Sequence, residues 1–176
     1  MKVWLKNINK VTGFTGKMKK TKFFAVVGLF FCIIVSTSSL YAIDLSKRCG
    51  IGFGSSGFSL KYGLSPHFSL EGRCAFGDGV IATGPRLYYN FNPNSNFVFY
   101  VAGDLEYIYF DQKQTENIWG NGGLLFIPVG VEFFINKYLS LNGDFGPAFI
   151  YLSESEYNLT SFGTEWVYNL AIYWYF

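Results

Sequence analysis

Histidine occurs once in the 176 residues, at position 67, and the three cysteines, Cys32, Cys49 and Cys74, stand far apart. No Cys/His group has metal-ligand spacing, so neither a metal nor another cofactor is expected. Phosphate loops are missing too: Gly120, Gly122 and Gly123 lie beside Trp119 without the strand-to-helix context such a loop needs. The longest apolar run, Phe23 to Val35, is too short to cross a bilayer comfortably as a helix. No helical period follows it. Residues 1–42 lack any acid but hold seven lysines, so a chain of net +2 leaves −5 on the remainder. That acidic remainder offers no basic surface for nucleic acid.

The leader has the three parts of an export signal. Lys19, Lys20 and Lys22 precede the apolar run, and Ser36 to Ser39 lead to Leu40, Tyr41 and Ala42. Cleavage is expected after Ala42, giving a signal peptide over 1–42 and a single domain over 43–176, with Met18 a plausible true start. Cys32 follows Phe30 and Phe31 rather than small residues, so a lipid attachment there is not expected. Cys49 and Cys74 remain in the exported part and are expected to stay unpaired, on non-adjacent strands near opposite rims.

Aromatic residues are abundant, at 21%, and they alternate. From Phe176 backwards, Trp174, Ile172, Leu170, Tyr168 and Trp166 form one apolar row, whereas Tyr175, Tyr173, Ala171, Asn169, Val167 and Glu165 form a mixed one. A period of two is a strand. Similar segments recur at Lys47–Gly54, Gly57–Leu64, His67–Phe76, Val80–Phe91, Phe97–Phe110, Gly123–Ile135 and Tyr138–Tyr151. The count is eight, or seven if the glycine-rich first pair is one kinked strand. Asp111–Gly122 and Leu152–Phe162 are read as the long loops, and the turns near Pro66, Pro93 and Lys137 as the short ones.

Phasing each strand by its apolar row sends Arg48, Lys61, Glu71, Arg73, Arg86, Asp104, Glu106, Glu132, Asp144 and Glu165 to the opposite face. In Phe97–Phe110, for example, Phe99, Val101, Leu105, Tyr107 and Tyr109 share one face and Asp104 and Glu106 the other. A water-soluble barrel needs the reverse, apolar inside and charged outside. A membrane barrel needs this phase, since a basic residue at the lipid midplane costs about 2–4 kcal/mol. The fold class expected is therefore all-β, an eight-stranded antiparallel transmembrane β-barrel behind a cleavable signal peptide. Phe53, Phe58, Tyr107, Tyr109, Tyr151 and Trp166 would form one interfacial girdle, and Phe68, Phe91, Phe97, Trp174 and Phe176 the other.

A chain ending on Phe176 behind the alternating Trp174, Ile172 and Leu170 resembles bacterial outer-membrane β-barrel proteins, and from about residue 47 onward the small OmpX-like and opacity-type ones in particular. The resemblance implies an outer-membrane location, lipopolysaccharide as surroundings, and Leu170, Ile172, Trp174 and Phe176 as the signal read by the barrel-insertion machinery. It also implies a structural role, or contact with a host or envelope protein through loop residues such as Lys113, Glu116, Trp119, Glu154, Glu156 and Tyr157. An eight-stranded lumen is filled by side chains, so the ten charges are expected to pair across it, with Asn90, Asn142 and Asn169 completing the network. A narrow pore is the alternative. A further one rests on His67, Ser69 and Glu71, residue types of a hydrolase triad, similar to the His-x-Ser element of outer-membrane lipid A deacylases.

Overall fold

The computed structural model describes residues 43–176 apart from 56, 78, 113–117 and 155–159. The expected signal, its cut after Ala42, the Met18 start and Cys32 lie outside the described residues, as do Lys113, Glu116, Glu156 and Tyr157. The strands are β1 (Cys49–Gly54), β2 (Gly57–Gly63), β3 (Phe68–Gly77), β4 (Val80–Asn90), β5 (Phe97–Gln112), β6 (Ile118–Phe126), β7 (Val129–Phe134), β8 (Leu139–Glu154) and β9 (Thr160–Tyr175). No helix occurs among the described residues.

Each strand is antiparallel to its neighbours. β6 and β7 both lie between β5 and β8 and keep one register, so they are two halves of a single wall strand. The last strand returns to the first, with Gly50 opposite Tyr175 and Gly54 opposite Ala171, and this closes a ring of eight. Closure removes the edge along these paired lengths, which a long aromatic strand needs most.

Two sequence expectations are corrected. The strand expected over Gly123–Ile135 starts earlier, at Ile118, and is interrupted at Ile127 and Pro128. Pro128 has no N–H to give the ladder; its carbonyl still accepts from the Ala102 N–H at 2.9 Å, and the Ile127 N–H donates to the Pro147 carbonyl at 3.1 Å. The two long loops are largely strand: β5 runs through Gln112, Trp119 lies in β6, and β8 and β9 extend to Glu154 and from Thr160. Polar residues there stay paired because the backbone ladder, not the apolar row, holds a strand that projects past the apolar band. The first pair is two strands, as the count of eight expects, joined at Gly54 opposite Gly57. Gly57 has φ 94°, a left-handed turn position that glycine occupies without strain.

The wall is uneven in height. The β8–β9 pairing runs from Leu139 opposite Trp174 to Ser153 opposite Thr160, whereas β1 and β2 span only six and seven residues. The end carrying the chain terminus is stoppered by the segment before β1. Ile43 and Leu45 are buried there against Val98, Phe134, Tyr173 and Tyr175. The Lys47 N–H donates to the Gly63 carbonyl at 2.7 Å. Position 63 must be glycine, because a Cβ there would run into the Leu45 carbonyl oxygen.

Candidate functional site

Alternation along each strand turns one row of side chains into the lumen, and that row carries the charge. Lys61, Glu71, Arg73, Arg86, Asp104, Glu132 and Asp144 are all buried, while Leu60, Leu70, Leu87, Leu105, Phe145, Leu170 and Ile172 on the other row are exposed. The charged side chains gather into two clusters.

The first is built around Arg86 of β4. Its Nη1 donates to Asp144 Oδ2 at 2.6 Å, and its Nη2 and Nε donate to Asp104 Oδ2 at 2.8 and 3.0 Å. Arg73 of β3 donates to the same Asp104 oxygen and lies 3.6 Å from Glu106 Oε1. Asn169 donates to Asp144 Oδ1 at 2.9 Å, and the Tyr100 hydroxyl donates to Asn142 Oδ1 at 2.8 Å. One guanidinium thus ties β4 to β5 and, across the lumen, to β8. Its planar fork suits this, because several donors are held in fixed directions.

The second cluster lies nearer the stoppered end. Lys61 of β2 donates to Glu132 Oε2 of β7 at 2.6 Å, and the other oxygen of Glu132 accepts from Ser140 and Tyr175, each at 2.6 Å. The ammonium sits 4.0 Å from the Tyr88 ring centroid and 5.2 Å from that of Tyr173, within cation–π range. Glu71 has no cation within ion-pair distance among the described residues; it is held by the hydroxyls of Tyr88 and of Tyr173, the latter at 2.6 Å.

The lumen tyrosines Tyr88, Tyr100, Tyr173 and Tyr175, with Ser140, join these clusters as hydroxyl donors, a role that the sequence reading missed. The signal was present: each stands on the same alternate row as a charge, as Tyr88 does two places after Arg86. In an alternating row a tyrosine reads as an apolar ring, and the period of two says nothing of its hydroxyl.

Two of the ten expected lumen charges stand apart. Arg48 is at the rim, donating to the Lys137 carbonyl and lying over the Tyr175 ring at 5.4 Å. Glu165 is half-buried on the inner row, opposite Ala148, with no ion-pair partner among the described residues. Asn90 donates to the Pro66 carbonyl at 3.3 Å, near the rim rather than within either cluster.

His67, Ser69 and Glu71 are not brought together. His67 precedes β3, is exposed, and stacks on the outward Tyr89 with ring centroids 5.9 Å apart, so it does not share the lumen row of Ser69 and Glu71. Its Nδ1 donates to the Asn90 carbonyl at 2.8 Å. The strand starts at Phe68, one residue later than the sequence suggested, so His67 stays in the turn after Pro66. Ser69 is buried beside Asn90, at 3.5 Å, and Glu71 is engaged by the tyrosines. Cys49 and Cys74 are free thiols, and no group of metal-binding side chains occurs among the described residues.

No protein-family model matches the chain, and no curated protein sequence matches it. Among solved structures, the N-terminal β-barrel domain of OprF from Pseudomonas aeruginosa is similar, with a TM-score of 0.52 at 14% identity, covering 73% of this chain and 94% of that one. At that identity the likeness is one of fold.

Proposed function

We propose that this chain is an outer-membrane β-barrel whose lumen is closed by ionic and tyrosyl contacts, and that it serves the cell envelope as a structural or surface-contact element. The observation that carries this is the inverted polarity of the wall, with Arg86 and Asp104 at 2% and 0% exposure and Trp166 and Leu170 at 75% and 67%. In water such a wall would aggregate; in lipid each side chain meets a medium it tolerates. The fold likeness to a β-barrel domain supports the same reading.

On this reading the exported chain sits among lipopolysaccharide, and the terminal row Leu170, Ile172, Trp174 and Phe176, exposed on β9 and the residue after it, is what the insertion machinery reads. The test is fractionation of cells followed by gel migration with and without boiling. A membrane-extracted protein that migrates compactly until heated is the expected result, and a protein recovered in the soluble fraction would overturn the proposal. A pore and a hydrolase gain nothing from a lumen crossed by Arg86 and stoppered by Ile43 and Leu45. Planar bilayers are expected to stay silent.

A further inference from the structure

The unevenness of the wall leaves one stretch of backbone without a partner. β1 pairs with β9 only over residues 171–175, and β8 covers the other edge of β9 from Thr160 to Trp174. From Thr160 to Asn169 no strand pairs with the β1-facing edge of β9, among the described residues. Two local contacts show which peptide groups point there. Leu170 donates its N–H to Ser55 Oγ at 3.0 Å, and its carbonyl accepts from the Ser55 N–H at 2.9 Å, so Leu170 faces the β1 side. Peptide groups alternate sides, so Tyr168, Trp166, Thr164 and Phe162 face it too. Pro147 stands opposite Trp166 and directs its carbonyl to Ile127 on its far side, which makes 147 and 166 a pair whose groups point away from each other.

An unpaired strand edge is a ready template for pairing with another chain. We propose that the Phe162–Tyr168 edge of β9 is a strand-addition site for an extended segment of another polypeptide; this rests on the membrane reading above. The added strand would carry apolar or aromatic residues beside Phe162, Trp166 and Tyr168, which are exposed on the outer face. On alternate positions it would carry lysine or arginine, to meet the half-buried Glu165 on the inner face, which has no cation of its own among the described residues. A second copy does not fit. Antiparallel pairing of this edge with itself places the twofold axis perpendicular to the sheet, which turns one barrel upside down relative to the other in the same bilayer.

The full chain in lipid nanodiscs, followed by amide hydrogen exchange with and without a synthetic peptide alternating lysine with valine and tyrosine, tests this. The amides of Phe162, Thr164, Trp166 and Tyr168 are expected to exchange freely alone and about tenfold more slowly with saturating peptide. Trp166→Pro removes an edge donor without touching the β8 ladder and should abolish that protection at Thr164 and Tyr168. Should that variant fail to migrate as a compact barrel, Glu165→Gln is the second test, expected to weaken peptide binding several-fold. Amides already slow without peptide, rates unchanged by it, or efficient disulfide dimers of a Thr164→Cys variant would each overturn the proposal. Failure of the membrane reading would appear instead as loss of membrane fractionation and of compact migration, which the exchange rates do not report.

Discussion

The two lumen clusters use different chemistry for the same task. Around Arg86 one cation serves two acids on different strands, Asp104, which Arg73 also meets, and Asp144, which also accepts from Asn169 and Tyr100. Around Lys61 the arrangement is reversed, since Glu132 keeps two hydroxyl donors, from Ser140 and Tyr175, whether or not the ammonium is there. A buried carboxylate with other donors is less costly to strand than one without them. The difference lies in how many acids lose a partner when the cation goes: two at Arg86, one at Lys61.

That contrast sets the order of expected effects. Arg86→Met should cost most, about 3–5 kcal/mol, because it leaves buried acids without their shared cation. Urea titration of compact migration in vesicles measures this, and adding Asp144→Asn to Arg86→Met should restore part of the loss. Lys61→Met should fall at or below about 3 kcal/mol, given the hydroxyls left on Glu132; equal losses at the two sites would break the comparison. On the outer wall, Leu105→Arg should cost about 2 kcal/mol in lipid, and a negligible change would mean that this face does not meet hydrocarbon. Tyr173→Phe should cost about 1–2 kcal/mol by removing a hydroxyl from Glu71. The smallest effect belongs to Ser69→Ala. With only a 3.5 Å contact to Asn90, it should shift the urea midpoint little and leave lipid A mass spectra as they are with the parent protein.

The uneven wall repeats the lesson at the level of backbone. Where β8 and β9 are long, pairing carries polar residues such as Ser153 and Thr160 into strand; where β1 and β2 are short, no described strand covers the neighbouring edge of β9. Loop composition alone could not separate these cases. Asp111–Gly122 reads as loop because it is polar, yet β5 and β6 pair through Asp111 opposite Trp119.

What the chain order of residues determined is the facing of each side chain. Alternation is local, so Asp104 and Leu105 had to lie on opposite walls, and the placing of Lys61, Glu71, Arg73, Arg86, Glu132 and Asp144 inside follows from a few neighbours each. What the tertiary structure alone decided is who meets whom. That Arg86 reaches Asp144, that Tyr173 holds Glu71, and that Leu45 lies over Gly63 all depend on the stagger between strands far apart in sequence. The physical reason is that a period of two is written in adjacent residues, whereas the register that closes a ring is set by the whole circumference at once.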